Sequence, residues 1–151
     1  MIVAVEHPGA ADVAALLAVH EALMRGQTPD ESCHVKSAQE LAAPGVRLFT
    51  LRDAGRLLGV GALTPLAPGH EELKSMHVAE AARGQGAGRA LLAGMLADAR
   101  ARGVTRISLE TGSGPEHAAA RRLYAAAGFA ETGPFGDYAD DPLSCFMTAA
   151  P

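Results

Sequence analysis

A glycine-rich hexapeptide, Arg83-Gly84-Gln85-Gly86-Ala87-Gly88, has the composition and spacing of an anion-binding turn. It follows an apolar, strand-like run at residues 73–78 and leads directly into a helical pattern. Such a turn leaves several backbone N–H groups unpaired at the positive end of the helix dipole, and glycine lets a ligand approach them closely. A tight connection that merely uses glycine is the alternative. The flanking strand and helix, with an arginine at the first position, favour a pyrophosphate site.

Composition narrows the classes of protein to which the chain can belong. Its 151 residues predict one domain, residues 1–151, that is large enough for a hydrophobic core. A net charge of −4, no tryptophan and 4 % aromatic residues argue against a nucleic-acid partner. There is no apolar run of membrane-spanning length and no signal-peptide pattern, so we expect a cytoplasmic protein. Cys33 and Cys145 lie in no metal-ligand spacing, so we expect no metal site.

The elements around the hexapeptide follow from hydrophobic periodicity and from turn residues. Strand patterns occupy residues 2–6, 46–51, 57–66, 73–78, 105–110, 129–132 and 143–147. Helical patterns occupy residues 12–25, 38–42, 86–102 and 115–127. This alternation predicts an α/β fold with one mixed sheet and helices on both of its faces.

A second motif, Leu123-Tyr124-Ala125-Ala126-Ala127-Gly128-Phe129, lies near the end of the last helix and runs into the next strand. Together with Arg83-x-x-Gly86-x-Gly88 it resembles the GNAT acyl-CoA N-acyltransferases, over nearly the whole chain and in the same element order. Shorter segments resemble a bacterial subgroup of small GNAT proteins whose substrates are mostly unassigned. These segments are Glu31-Ser32-Cys33-His34, Glu72-Leu73-Lys74-Ser75-Met76, Leu109-Glu110-Thr111-Gly112, Pro134-Phe135-Gly136-Asp137-Tyr138 and the run from Asp141 to Met147.

The resemblance implies a GNAT fold, with a mostly antiparallel sheet splayed between its fourth and fifth strands, and acetyl-CoA as cofactor. The pantetheine arm would lie in the splay against the backbone of Met76, His77 and Val78. The turn from Arg83 through Gly84, Gln85, Gly86, Ala87 and Gly88 to Arg89 would wrap the pyrophosphate. Either arginine taken singly could instead be a solvated surface residue. His117 stands where many members of the family have an asparagine that contacts the pantetheine.

Four residues are candidates for proton transfer. The resemblance places Tyr124 near the thioester sulfur; the alternative is a half-buried tyrosine that packs on the sheet. Glu72 and Glu71 start the fourth strand, where a carboxylate could act as general base directly or through water, and Glu72 is the favoured one of the two. The alternative is a solvated strand end, and Glu72 could also pair with Lys74 on the same strand face. Glu110 is the second candidate base, and could also be structural.

Two irregular segments, residues 27–37 and 134–142, would flank the acceptor, because loops of this kind vary with substrate. Lys74 and His34 would suit an acceptor that bears a carboxylate, whereas Asp137, Asp140 and Asp141 would suit a cationic amine or form a solvated turn. The expected acceptor-binding residues are Glu31, His34, Lys74, Phe135, Tyr138 and Ser144. As alternatives, His34 and Ser144 could bond to backbone, and Phe135 could cover the edge of the core.

The resemblance implies an N-acetyltransferase that moves an acetyl group to the amine of a small molecule by direct attack in a ternary complex. Neither cysteine lies in a nucleophile motif, so no covalent enzyme intermediate is expected. A non-catalytic acyl-CoA sensor and a protein acetyltransferase are the alternatives. Tyr124 favours an enzyme over a sensor, because a binder needs no proton donor beside the sulfur. A homodimer is common in the family.

Overall fold

The computed structural model describes residues 1–151 and contains seven strands and four α-helices. The helices are α1 (Ala11–Gln27), α2 (Ala38–Leu41), α3 (Ala87–Ala101) and α4 (Ala118–Ala126). Short 3-10 turns occupy Asp30–Ser32, Glu80–Ala82 and Pro115–His117. The strands are β1 (Ile2–Val5), β2 (Arg47–Asp53), β3 (Arg56–Ala67), β4 (His70–Val78), β5 (Arg106–Gly112), β6 (Ala130–Thr132) and β7 (Ser144–Ala149).

All seven strands form one sheet in the order β1-β2-β3-β4-β5-β7-β6. Every neighbouring pair is antiparallel except β4 and β5, which run parallel. Backbone pairing between β4 and β5 covers only four residue pairs and ends at Leu73 opposite Leu109. Beyond that pair the two strands diverge. The predicted GNAT fold, a mixed sheet splayed between its fourth and fifth strands, is therefore confirmed.

Apolar residues on both faces of the sheet explain why helices cover both sides. On β2, the buried neighbours Leu48 and Phe49 point to opposite faces, because successive side chains of a strand alternate. Phe49 belongs to the larger core under α3, and Leu48 packs in the smaller core under α1 and α2. The central strands thus pack against helices on both faces, and β4 and β5 diverge within this packed sheet. None of the helices qualifies as a membrane span.

Two boundaries differ from the sequence prediction in ways that bear on the site. β4 begins at His70 rather than at residue 73, because His70 and the two glutamates after it pair with β3 on one side and β5 on the other. Because the first residues of this strand are polar, the hydrophobic pattern of the sequence does not show where it begins. The helix predicted from residue 115 begins as a 3-10 turn, and α4 starts only at Ala118.

Candidate functional site

A cleft of about 540 Å³ opens where β4 and β5 diverge. Its walls come from the C-terminal half of α1 and the segment after it, from β4 and β5, and from α4. Lys74 and Glu110 are the first residues of their strands beyond the last backbone pair, so they stand at the apex of the splay. The cleft extends from there to Arg83, next to the glycine-rich turn.

A β-bulge shapes the β4 side of the cleft. The β3 register passes from Val60 opposite His77 to Ala62 opposite Lys74, so one extra residue of β4 is accommodated between the pairs. Ser75 has a positive φ of 58°, and its buried hydroxyl has no hydrogen-bond partner. A bulge of this kind bends its strand and re-aims the backbone. The edge of β4 that faces away from β3 has no β5 partner from this point onward.

The glycine-rich turn presents a continuous set of free backbone donors. No N–H group from Gly84 to Arg89 donates to an acceptor within the protein, and the first bond of α3 beyond the turn is from Ala90 to the Gly86 carbonyl. Gly86 is the N-cap of α3 with φ of 78°, a conformation that glycine adopts at little cost. Free N–H groups at a helix N-terminus form a site for phosphate oxygens.

Two arginines flank these donors. Arg83 and Arg89 are both exposed and form no ion pair with the protein's carboxylates. The Nε of Arg83 donates to the Val78 carbonyl over 3.3 Å, which fixes the side chain at the end of β4. Their charges are therefore available to an anion bound at the turn.

Tyr124 lies in the cleft wall, from α4. Its side chain is buried, and its ring packs edge-on against Phe129 with ring centroids 5.8 Å apart. Burial raises the pKa of Tyr124 above its usual value of 10, and no hydrogen bond offsets this. The hydroxyl therefore stays protonated and remains available as a donor.

His117 also lines the cleft, at the start of α4. Its half-buried ring packs so closely on Gly112 of β5 that a Cβ at this position would overlap the ring. Glycine at position 112 is thus needed for the ring to lie against the end of β5.

His20 of α1 and His77 of β4 form a buried pair in the cleft wall, with 3.0 Å between their Nδ1 atoms. Burial lowers the pKa of both imidazoles, that of His20 to about 4. Two neutral rings can share one N–H···N bond, whereas protonation of both would leave no acceptor between them. His20 is not recognisable as a site residue from the sequence, because its apolar neighbours on α1 predict a core position.

The His20–His77 pair predicts acid sensitivity of the fold. In the unfolded chain His20 titrates near 6.5, so the unfolded state binds the proton more readily and stability falls as pH drops from 6.5 towards 4. The shift corresponds to a loss of about 3 kcal/mol between pH 7 and pH 4. Urea unfolding at the two pH values should show this loss in the wild type and a clearly smaller one in His20→Gln. Equal losses in the two proteins would contradict the prediction.

At the other end of the cleft a polar network holds Lys74. Its ammonium donates to the Tyr138 hydroxyl over 2.9 Å and to Glu72 over 3.2 Å, and Tyr138 donates to the same Glu72 oxygen over 2.5 Å. His34 and Phe135 pack edge-on against the Tyr138 ring, with centroids 4.9 Å and 5.0 Å away. The two irregular segments thus converge at Tyr138.

Glu110 has a different environment from Glu72. It is half-buried in the cleft wall and forms no ion pair, and burial raises the pKa of its carboxyl. Glu72 is buried behind Lys74, with one oxygen already accepting two hydrogen bonds. Of these two candidate bases, only Glu110 reaches the cleft.

The expected acceptor residues differ in how directly they meet the cleft. His34 and Lys74 line it; Phe135 and Tyr138 lie behind them as support. Ser144 is outside it, with a buried hydroxyl that has no partner. Glu31 is exposed in the 3-10 turn after α1 and does not reach the cleft.

Comparison with known proteins agrees with this architecture. The model of the GNAT acetyltransferase family matches residues 15–129. The uncharacterized N-acetyltransferase YedL of Escherichia coli is 39 % identical over 142 residues, which cover 94 % of this chain and 87 % of YedL. A protein of Azospirillum brasilense named IAA acetyltransferase is 42 % identical over 120 residues, 79 % of this chain and 77 % of that protein.

Solved structures give the same result. A Klebsiella pneumoniae protein provisionally described as an acyl-CoA N-acyltransferase is 31 % identical and superposes with a TM-score of 0.80, covering 99 % of this chain and 96 % of that one. An aminoglycoside 6'-N-acetyltransferase solved with coenzyme A shares the fold, with a TM-score of 0.74 at 15 % identity and coverage of 99 % and 97 %. The family match, the splayed sheet and the free donors at the start of α3 lead to one conclusion. The chain belongs to the GNAT acetyltransferase family.

Proposed function

We propose that this protein is an acetyl-CoA-dependent N-acetyltransferase that acetylates the amine of a small molecule by direct attack in a ternary complex. One observation carries the proposal: a single cleft includes Arg83 beside the free N–H groups, the buried Tyr124, and Glu110, whose carboxylate forms no ion pair. An anion site, a proton donor and a proton acceptor in one cavity are what acyl transfer from coenzyme A to an amine requires.

The cofactor would occupy the end of the cleft nearest α3. The N–H groups of Gly84 to Arg89, with Arg83 and Arg89, would bind the pyrophosphate. The pantetheine amides would pair with the unpartnered edge of β4 at Met76, His77 and Val78, and His117 would contact the arm from the opposite wall. The thioester then lies near Tyr124.

The reaction balances without a covalent intermediate. An acceptor ammonium loses one proton to become the nucleophile, and its nitrogen attacks the thioester carbonyl carbon. A C–N bond forms, the C–S bond breaks, and the electron pair of that bond leaves on sulfur. The second proton lost by nitrogen balances the one that converts the thiolate into free coenzyme A, so one proton is released overall.

Tyr124 would stabilise the departing thiolate, and Glu110 would accept the proton of the attacking amine. Because burial raises the pKa of Tyr124 well above the ~8.5 of a thiol, its hydroxyl stabilises the departing thiolate as a hydrogen-bond donor more readily than it gives up its proton. Glu110 takes the amine proton, because a carboxyl with a raised pKa is a stronger base than an ordinary carboxylate. Glu72, the base favoured by sequence, holds Lys74 in place.

The two alternatives, an acyl-CoA sensor and a protein acetyltransferase, predict different patterns of thiol release. A sensor would bind acetyl-CoA and release no thiol with any amine, whereas a protein acetyltransferase would release thiol with peptides and not with small amines. Tyr138 and Phe135 support the acceptor end from behind, and a cleft of about 540 Å³ has the size of a small-molecule site rather than of a surface for a protein chain. The cytoplasmic location and the homodimer stay predictions.

Thiol release from acetyl-CoA in the presence of a broad set of small amines tests the proposal directly. We expect amine-dependent release, and we expect Tyr124→Phe to lower kcat by ~10²-fold, since it removes only the hydroxyl that meets the leaving group. Acetyl-CoA affinity, measured by calorimetry, and the circular dichroism spectrum should be unchanged. Wild-type turnover in Tyr124→Phe would assign the residue to packing alone.

A further inference from the structure

Two side chains of opposite charge, Lys74 and Glu110, line the apex of the cleft and form no ion pair with each other. Lys74 and Glu110 follow directly after the last pair between β4 and β5, so both side chains leave the same face of the sheet. Both line the cleft, yet the cation pairs with Glu72, and Glu110 has no cationic partner. Lys74 and Glu110 therefore stand on the same side of the splay without forming an ion pair with each other.

The Lys74 ammonium is held rigidly and has a donor to spare. Its side chain is only 9 % exposed, and two of its three N–H groups are used by Glu72 and the Tyr138 hydroxyl. The third has no acceptor within the protein. A buried donor is costly unless it is satisfied, and because Lys74 lines the cleft, an acceptor on a bound ligand can satisfy it. His34, packed on Tyr138, lines the cleft on the same side.

Apolar side chains also contribute to the wall of the cleft. Leu23 of α1 and Leu143, next to β7, are 38 % and 45 % exposed, although both contribute to the cleft wall. Met24 and Val35 line the same cleft. These side chains would lose exposed apolar surface if an apolar group were bound between them.

Building on the function proposed above, we infer that the acceptor is a free α-amino acid with an apolar side chain. Its carboxylate accepts from the third N–H of Lys74, its amine approaches Glu110, and its side chain lies towards Leu23 and Leu143. An amine without a carboxylate would leave the Lys74 donor unsatisfied and place a second cation beside it. A peptide N-terminus offers a neutral carbonyl where Lys74 faces the ligand. Neither an amine without a carboxylate nor a peptide N-terminus complements both Lys74 and Glu110.

Kinetics with matched acceptors test this inference. All twenty protein amino acids, 3-methylbutylamine, leucinamide, spermidine and a short peptide are assayed for thiol release with acetyl-CoA. We expect apolar amino acids to be acetylated, with kcat/KM for leucine about 100-fold above that for 3-methylbutylamine, which lacks only the carboxylate. Leucinamide should resemble the amine.

Substitution of Lys74 isolates the carboxylate contact. Lys74→Met should reduce the preference for leucine over 3-methylbutylamine from about 100-fold to near unity. Because removal of one partner leaves Glu72 buried and unpaired, the double variant Glu72→Gln/Lys74→Met, which removes both charges, should give the same loss of preference. Lys36→Met, on the exposed surface, is the matched control and should keep the preference.

The outcomes separate this inference from the function on which it rests. Turnover of amines or the peptide with no free amino acid acetylated overturns the amino-acid acceptor and leaves the acetyltransferase standing, as does a leucine preference that survives in both Lys74 variants. Absence of acetyl-CoA binding, or of thiol release with every acceptor tested, overturns both.

Discussion

Gly86→Val should weaken the binding of acetyl-CoA by about 10³-fold. Valine is disfavoured at the φ of 78° that Gly86 adopts, so the turn must rearrange and the row of free N–H groups is lost. Hydrogen bonds to charged groups contribute roughly 1.5–3 kcal/mol each, so loss of two gives a reduction of this order. Calorimetric titration with acetyl-CoA measures it.

A second glycine provides a matched control. Gly103 follows the opposite end of α3 with φ of 83°, and a Cβ at either glycine would meet no protein atom within 4 Å. Gly103→Val should therefore lose a similar amount of stability, about 1–2 kcal/mol, while acetyl-CoA affinity is retained. Equal affinities in the two variants would exclude the turn as the pyrophosphate site.

Glu110→Gln should lower kcat/KM for the acceptor by about 10³-fold at pH 7, since it removes the proposed proton acceptor from the cleft. The wild-type rate should rise with pH through the pKa of Glu110, which burial places above the usual 4.5, and this acidic limb should be absent from the variant. Stopped-flow thiol release across pH 5 to 9 provides the profile.

Stability distinguishes a catalytic from a structural Glu110. A carboxyl whose pKa is raised on folding stabilises the folded state below its unfolded pKa, and this contribution is lost as pH rises through the folded pKa. At pH 7 the ionised group is therefore unfavourable, and Glu110→Gln should raise Tm although it lowers kcat/KM. Glu72→Gln is the comparison: it should keep the acidic limb. Loss of that limb in Glu72→Gln instead would assign the base to Glu72.

Local sequence determined the parts of this protein that depend on neighbours along the chain. The turn from Arg83 to Gly88 can be recognised from the sequence, because glycine spacing, a preceding strand and a following helix are all local properties. The motif from Leu123 to Phe129 and the alternation of strand and helix patterns are local in the same way. Together they predicted the family and the splayed sheet, and both predictions are confirmed.

Tertiary structure decided which of the candidate groups meet. His20 and His77 are 57 positions apart, and Lys74 and Tyr138 are 64 apart, so no periodicity relates them. The bulge at Ser75 reflects strand register rather than residue type. Glu72 and Glu110 are alike in sequence as carboxylates on strands. The pairing of Glu72 with Lys74 on one strand face is local, but which carboxylate is open to the cleft depends on where β4 and β5 part, and that point depends on how whole strands pack against α1, α3 and α4.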